Sequence, residues 1–157
     1  MIVLTRVDYR LIHGQVAMAW TRAVSADCIL VASDAVANDD LRKAALRMAK
    51  PSGVKLVIKS IDDAATALNA GVTEKYRLMV LVESIEDAYR LARASDRIAS
   101  INLGATPPNE DADRKVSTAI FASSHDVSLL QQLADGGVEV EIRQIPTDAK
   151  LPLNNAL

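Results

Sequence analysis

The sequence predicts an α/β fold: an open, mostly parallel twisted sheet of about six to seven strands with helices on both faces. Three observations predict it. Short apolar runs of strand length alternate with longer runs of helical spacing along most of the chain. Several apolar runs are continuous, as in parallel strands buried on both faces. Neither a repeat nor a linker interrupts the 157 residues, so we expect a single domain over 1–157.

The first half of the chain alternates strands with helices. The run Cys28 to Ala32 is short, continuous and apolar, which is typical of a buried strand. Ser60 with Asp63 resembles a capping box, and Gly71 is expected to end that helix. The predicted elements are, in order, strand 2–7, helix 15–24, strand 28–32, a helix capped at 38–40, strand 54–58 and a helix from Ser60 to Gly71.

The helix predicted after 38–40 has apolar residues at helical spacing. Such a pattern is typical of an amphipathic helix. Pro51-Ser52-Gly53 is expected to end the helix. The apolar positions are Leu41, Ala44, Ala45, Met48 and Ala49.

The second half continues the alternation. Leu78 to Val82 is the most strand-like run of the chain. Residues 104–115 contain two prolines and a charged stretch and are expected to form a polar surface loop, and the turn-rich residues 146–157 an irregular tail. The predicted elements are strand 78–82, a helix capped by Ser84, strand 98–103, strand 116–121, a helix capped by Ser124 and ended at Gly136-Gly137, and strand 138–142 with one solvent-facing side.

Composition excludes several classes of function. The net charge is −2 without a basic cluster, so we expect no nucleic-acid partner. No apolar run approaches the roughly 20 residues of a membrane span, and the N-terminus has no signal-peptide layout. The single cysteine, Cys28, is expected to be a buried hydrophobic residue, which favours a reducing, cytoplasmic location. The two histidines and the cysteine lack metal-ligand spacing, and no nucleotide-binding glycine motif is present, so we expect no metal and no cofactor.

The densest group of reactive residue types lies between the first strand and the first helix. It contains Asp8, Arg10, His13 and Gly14. In an open α/β sheet, ligands and reactive groups collect in this position, at the carboxyl end of a strand and the amino end of a helix. Gly14 permits backbone conformations that a side chain would block, and the start of the helix, at Gln15, offers N–H groups to an anion.

The residue types in this loop point to phosphate chemistry. A neutral imidazole is a competent nucleophile, and Arg10 carries a planar fork of donors that matches a phosphate. Asp8 can either hold Arg10 or orient the imidazole ring. The residue types of the loop therefore fit a histidine that can be phosphorylated, with neighbouring groups that neutralise the charge of the phosphate. A histidine with satisfied hydrogen bonds and a purely structural role remains the alternative at this point.

Four further residues or pairs could contribute to a functional site or have a structural role only. Ser33-Asp34 follows a strand, where helix capping is the default, although the pair can share one sheet edge with His13. Arg143 ends the last strand and is either a solvated charge or a group that holds phosphate. His125 is expected to be an exposed residue of a first helical turn, and Trp20 to be part of the core.

The stretch Val3 to Val16 resembles the IIB component of the mannose/fructose/sorbose family of the bacterial sugar phosphotransferase system, whose pattern is D-x-R-L-I-H-G-Q-V. The resemblance covers nearly the whole chain. It continues in Leu30 to Asp34, in Ile101-Asn102-Leu103-Gly104 and in Gly137 to Asp148. After Gly104 the chain departs from many members, because Ala105-Thr106-Pro107-Pro108 and an acidic stretch follow.

The resemblance implies the activity. His13 would accept a phosphoryl group from a phosphohistidine of the IIA component, on Nδ1, and pass it to a sugar bound by the membrane components IIC and IID. It would be supported by Arg10 and by Arg143. The chain would be cytoplasmic and peripherally associated with the membrane transporter. The further residues expected to support the site are Asp8, Gly14, Gln15, Ser33 and Asp34.

Two other functions remain open from the sequence. A histidine phosphatase would need a second histidine and more arginine near His13, and His125 is the only other histidine. A sensory or interaction domain without catalysis would bury His13 as an unreactive ring.

Overall fold

The computed structural model describes residues 1–109, 114–117 and 119–157. The strands are β1 (Ile2–Asp8), β2 (Cys28–Ala32), β3 (Lys55–Lys59), β4 (Leu78–Val82), β5 (Ser100–Ala105), β6 (Arg114–Lys115), β7 (Phe121–Ala122), β8 (Glu139–Ile142) and β9 (Leu151–Pro152). The helices are α1 (Gly14–Ala23), α2 (Asp34–Ala37), α3 (Asp40–Ala49), α4 (Ile61–Ala70), α5 (Ile85–Ala94), α6 (Ser124–Asp135) and α7 (Leu153–Ala156).

Seven strands form one sheet in the order β3-β2-β4-β1-β5-β8-β9. All pairs between β3 and β8 are parallel, and β9 pairs antiparallel with β8 at one edge. The predicted class, an open and mostly parallel sheet with helices on both faces, is confirmed. Its central strands are β4 and β1.

The sheet has a separate hydrophobic core on each face. Alternate residues of β4 divide between them: Leu78, Val80 and Val82 face one core, and Met79 and Leu81 face the other. Because β2 and β4 are buried on both faces, their sequences are continuous apolar runs, and both predicted ranges match the structure. The core shared with Met79 contains residues of α1, α2 and α3, whereas the other contains residues of α4, α5 and α6.

Capping side chains determine where the helices start. Ser84 accepts a hydrogen bond from the N–H of Asp87, and Ser60 does the same for α4, as predicted. The prediction for α6 is wrong by one residue. Ser123, not Ser124, is the cap, because only Ser123 has an acid three positions later, and Asp126 completes a reciprocal capping box with it.

Three other predicted segments differ from the structure. Residues 116–121 are not one strand: β6 and β7 pair antiparallel, and the N–H of Val116 donates to the carbonyl of Ile120 to close a turn. The predicted loop 104–115 begins within β5 and ends in β6, and its residues 110–113 lie outside the described part of the chain. The tail forms β9 and α7, which gives the sheet its antiparallel edge.

The predicted solvent-facing side of the last strand is also wrong. Glu139 is exposed, but Glu141 is buried at 6% exposure, because a polar cluster described below covers it. Cys28 is buried as expected at 1% exposure, and burial raises the pKa of its thiol. Within the described residues, no helix has both the length and the apolar character that a membrane crossing requires.

The orientation of α3 is the reverse of that of an ordinary amphipathic helix, which buries its apolar stripe. Its apolar stripe faces away from the protein, with Leu41 at 81% and Met48 at 89% exposure, and Ala44, Ala45 and Ala49 are exposed as well. The helix instead buries Leu46 and places Arg42 2.8 Å from the carboxylate of Glu83. These two contacts lie one helical turn apart, and together they fix the rotation of the helix about its axis.

Candidate active site

The loop between β1 and α1 lies at the carboxyl edge of the sheet, next to the centre. β1 pairs with β4 on one side and β5 on the other. The chain leaves β1 toward one face and leaves β4 and β5 toward the opposite face. Helix α1 belongs to one core, whereas α5, which follows β4, and Val116 and Ile120, which follow β5, belong to the other. Parallel sheets have their ligand crevice where neighbouring connections diverge in this way. The sequence placed His13 in this position, and the structure does the same.

Two left-handed backbone conformations shape the loop. Leu11 has φ 58° and Gly14 has φ 50°. The N–H of Leu11 donates to the carbonyl of Asp8 at 2.9 Å, and both Leu11 and Ile12 are buried at 4% exposure. Burial of these two side chains offsets the strain of a non-glycine residue at positive φ. The loop is thus anchored in the core, and its next residue, His13, comes to the surface.

His13 is the N-cap residue of α1, with φ −151° and ψ 135°, but its side chain makes no capping hydrogen bond. The imidazole is half-buried. Its Nε2 atom is fully buried without a hydrogen-bond partner, a property that Nδ1 does not share. The carbonyl of His13 accepts from Ala17, so the first N–H groups of α1 have no partner within the helix. The imidazole of His13, in which Nδ1 is the accessible nitrogen, therefore lies beside the positive end of α1.

The carboxylate of Asp8 connects this loop to the sheet. It is 1% exposed, and its Oδ1 accepts from the backbone N–H of Arg10 at 3.0 Å and from Arg10 Nε at 3.4 Å. Its Oδ2 accepts from Arg6 Nη2 at 3.3 Å. Of the two roles that the sequence allowed for Asp8, the structure records the contact with Arg10 and none with the imidazole.

Arg6 is the residue that sequence reasoning missed. Its side chain is 2% exposed, and besides Asp8 it donates to Asn102 Oδ1 at 2.6 Å and to the carbonyl groups of Arg143 and Gln144 at 3.0 and 2.9 Å. Burial lowers the pKa of Arg6, and the charge and hydrogen bond of Asp8 oppose that shift. One signal was present: a charge inside an otherwise apolar central strand requires a buried partner.

The absence of a side chain at Gly104 makes room for Arg6. A Cβ atom there would overlap the guanidinium group. Gly104 lies on β5, the neighbour of β1, so the close approach occurs between adjacent strands. Arg6 thereby joins β1 and β5 to the segment that follows β8.

A second layer of the same cluster surrounds Trp20 of α1. The guanidinium carbons of Arg6 and Arg143 lie 5.0 and 4.9 Å from the centre of the indole ring, and Trp20 Nε1 donates to the carbonyl of Gln144 at 3.1 Å. Arg143 Nη2 lies 3.4 Å from Glu141 Oε1, and its Nε is buried without a partner. Trp20 is buried as expected, and it also orders these cations.

Arg143 therefore belongs to the cluster next to the loop, and it makes no contact with His13 or Arg10 within the described chain.

The side chain of Arg10 is more accessible to solvent than that of Arg143. It is 35% exposed, its Cζ lies 5.2 Å from the ring centre of Tyr9, and neither of its Nη atoms has a hydrogen-bond partner among the described residues. A 160 Å³ cavity lies beside it, lined in part by Phe121 and Gln144. Arg10 thus keeps two donor groups for a ligand.

Ser33 and Asp34 lie at the same sheet edge, but their contacts are structural. Ser33 is fully buried, accepts from Val36 to cap α2 and donates to Glu83 at 2.6 Å. Asp34 accepts from the N–H of Ile61 at 2.9 Å and from Arg90 at 3.0 Å. These contacts join the ends of β2 and β4 to α4 and α5. The remaining supporting positions, Gly14 and Gln15, are exposed at the start of α1.

His125 is not part of this group. It is 69% exposed at the start of α6, and its Nε2 lies 3.0 Å from Glu86 of α5. The second histidine that a histidine phosphatase needs is therefore absent from the His13 loop. In the described parts of the chain, acidic, histidine and cysteine side chains form no group that could hold a metal ion.

Three comparisons relate the chain to known proteins. The model of the PTS system sorbose subfamily IIB component matches residues 2–157. The fructose-specific EIIB component of Bacillus subtilis is 34% identical over 94% of this chain and 90% of its own length. The mannose-specific EIIAB component of Escherichia coli is 33% identical over 97% of this chain, which spans 47% of that protein. The IIBSor domain of the sorbose permease from Klebsiella pneumoniae has a similar structure, with a TM-score of 0.92, 26% identity and coverage of 99% and 95% of the two chains.

The contacts of Asp34 generate a prediction about stability. The hydrogen bond from Ile61, and then that from Arg90, lower the pKa of Asp34. A carboxyl whose pKa falls on folding stabilises the fold above its ordinary pKa of about 4, and this contribution is lost as the pH falls through the lowered value. We therefore expect Asp34→Asn to lower the free energy of unfolding at pH 7 by about 0.5 kcal/mol, a small value because solvent screens the half-exposed pair.

The measurement is urea unfolding at neutral pH and again at a pH below the lowered pKa of Asp34, at about pH 2. The two proteins should become equally stable at the lower pH. A difference that stays constant with pH would show that the charge of Asp34 does not act through these contacts.

Proposed function

Since this chain belongs to the sorbose subfamily of IIB components of the phosphotransferase system, whose members are phosphotransferases that transfer phosphoryl groups to sugar, we propose that His13 is its phosphoryl-carrying residue. The observation that carries the proposal is the position of the imidazole. It caps no helix, is open at one nitrogen and lies at the positive end of α1, three residues from an arginine with free donors.

The first step is a displacement at phosphorus. The lone pair of His13 Nδ1 attacks the phosphorus of a phosphohistidine on the IIA component, and the donor nitrogen leaves with the electron pair of the broken P–N bond. In the second step a sugar hydroxyl oxygen attacks the same phosphorus, the new P–N bond breaks with its electrons returning to Nδ1, and the hydroxyl proton is released. Both steps need in-line approach and charge stabilisation more than covalent help from the protein.

Burial selects the reacting nitrogen. Nε2 of His13 is closed off, so a phosphoryl group can reach only Nδ1. The tautomer with its proton on Nε2 leaves the Nδ1 lone pair directed outward. In this tautomer the Nε2–H group is a buried donor without an acceptor, which lowers the stability of the fold by about 1–3 kcal/mol. The burial of Leu11 and Ile12 in the core offsets this loss.

The charge of the site favours a phosphoryl group. Three guanidinium groups, on Arg6, Arg10 and Arg143, face two carboxylates, on Asp8 and Glu141, so one positive charge is in excess. Arg10 can bind two phosphate oxygens through its free Nη atoms. The N–H groups at the start of α1 add further donors. We assign Arg143 a supporting role, in which it adds positive charge from its place on Trp20.

Asp8 fixes the geometry of this arrangement. Because its carboxylate binds both the backbone and the side chain of Arg10, the guanidinium needs little reorganisation when the phosphoryl group arrives. Arg6 in turn neutralises Asp8 and connects it to β5 and to the segment after β8. The proposed mechanism uses these groups alone and requires neither metal nor cofactor.

The proposed partners follow from the two steps. A phosphorylated IIA component supplies the phosphoryl group, and membrane components of the IIC and IID type present the sugar. The exposed loop must face each in turn, so both complexes are expected to be transient and small. Location in the cytoplasm, at the periphery of the transporter, fits this exchange.

The proposal predicts that His13→Ala abolishes phosphate uptake, because it removes the proposed nucleophile. The measurement is transfer of labelled phosphate from the phosphorylated cognate IIA component to the chain, with detection of acid-labile phosphate. His125→Ala is the matched control, since that histidine is exposed on α6 and should leave uptake unchanged. Normal labelling of the His13→Ala protein, with an unchanged circular dichroism spectrum, would refute the proposal.

Arg10→Lys is expected to slow phosphate uptake by about tenfold, because a point charge replaces a fork of two donors and removes about one charge-assisted hydrogen bond. Rapid-quench measurement of uptake from phosphorylated IIA gives the rate. Arg22→Lys, on the exposed far end of α1, serves as the control and should transfer at the normal rate. Equal rates for all three proteins would mean that Arg10 does not contact the phosphoryl group.

A further inference from the structure

The exposed apolar stripe of α3 is not used by the proposed chemistry. Leu41 and Met48 are 81% and 89% exposed, and the two exposed alanines Ala44 and Ala45 lie between them. These four residues recur at the spacing i, i+3, i+4 and i+7, so they form one continuous face of the helix. A contiguous apolar face open to water marks an interaction surface rather than an ordinary surface.

The stripe is symmetric about its own centre. A large residue lies at each end and a small residue on each side of the midpoint between Ala44 and Ala45. If a second copy of α3 is placed antiparallel about a two-fold axis through that midpoint, Leu41 of one copy meets Met48 of the other, and the alanines allow the helix axes to approach to about 8 Å. The same surface patch serves both copies, as a closed dimer requires.

The charges beside the stripe follow the same symmetry. Asp40 and Arg47 lie on one flank, seven residues apart. The side chain of Asp40 is fully exposed with only a long 3.9 Å contact to Lys43, and Arg47 is exposed and forms no ion pair with any described residue. In an antiparallel helix pair the flanks of the same kind face each other, so each Asp40 would lie beside the Arg47 of the other copy.

From this self-complementarity we propose that α3 is a homodimerisation surface, occupied by the α3 helix of a second copy of this chain. The free edge of β3 is not the contact, because Lys55 and Lys59 close both of its ends and discourage strand pairing. A single helix pair buries less than the roughly 800 Å² per partner of a standard interface, so the dimer belongs to the weak class.

The geometry keeps both active loops accessible. The amino end of α3 lies at the carboxyl edge of the sheet, where Arg42 contacts Glu83. Antiparallel pairing of the helices therefore turns the two carboxyl edges, and with them the two His13 loops, toward opposite ends of the dimer. The inference is independent of the phosphoryl-transfer proposal, since none of the α3 residues named above belongs to the candidate active site.

Sedimentation velocity of the full chain, from about 10 µM to about 1 mM, tests the surface. We expect a concentration-dependent monomer–dimer equilibrium for the wild type and a monomer at every concentration for Met48→Glu, because the dimer would bury the new charge. Val72→Glu is the control, since Val72 is an exposed apolar residue outside the stripe, at 59% exposure, and should leave dimerisation intact. A wild type that stays monomeric, or a Met48→Glu protein that dimerises equally well, would overturn the proposal.

A charge exchange tests self-recognition itself. Asp40→Arg and Arg47→Asp should each weaken the dimer by about tenfold, because each turns two attractive pairs into two repulsive ones. The double variant restores opposite charges and should return the dissociation constant to within about threefold of the wild type. Circular dichroism confirms that each variant is folded. A double variant that dimerises as weakly as the single variants would contradict the proposed dimer. So would a wild-type protein that binds phosphatidylserine vesicles as a monomer through Met48, and that result would assign the face to a membrane.

Discussion

The buried carboxylate of Asp8 is the interaction on which the candidate site depends. An ionised carboxylate inside a protein is unfavourable by several kcal/mol unless charges and hydrogen bonds compensate it. Here the compensation comes from Arg6 and from the backbone and side chain of Arg10. Arg6 reaches across β5 to the segment after β8, so the geometry of a surface loop is determined by contacts inside the sheet. A site that is rigid in this way loses little energy to reorganisation during transfer.

The site also concentrates unsatisfied polar atoms. Of the buried side-chain atoms without partners in the described chain, those of His13, Glu141 and Arg143 lie in or beside it. Native proteins pair nearly all such atoms, so a group of them at one sheet edge shows that the contacts there are not arranged for stability alone, as is common at functional sites. The accessible Nη atoms of Arg10 also lack a hydrogen-bond partner among the described residues.

Much of the fold was predictable from the sequence, because parallel strands buried on both faces leave a local signature. The ranges of β2 and β4 and the caps at Ser60 and Ser84 all follow from short stretches of sequence. Local sequence pattern could not predict the features that depend on contacts between residues far apart in the chain. The ion pair of Arg42 with Glu83, 41 positions apart, determines which side of α3 faces the sheet, and periodicity alone favoured the opposite side. The contacts of Arg6 with Asn102 and Gln144 likewise join residues 96 and 138 positions apart.

The residues of the His13 loop could be recognised from the sequence because they are contiguous, and the resemblance to the mannose/fructose/sorbose family implied their roles. The resemblance implied Nδ1 as the reacting nitrogen, and the folded loop adds a physical reason, because Nε2 of His13 is the buried nitrogen. The most direct test is ¹⁵N and ³¹P nuclear magnetic resonance of the chain after phosphorylation by its IIA component. The account predicts a phosphorus–nitrogen coupling at Nδ1 of His13. Phosphate on Nε2, or on any other residue, would contradict it.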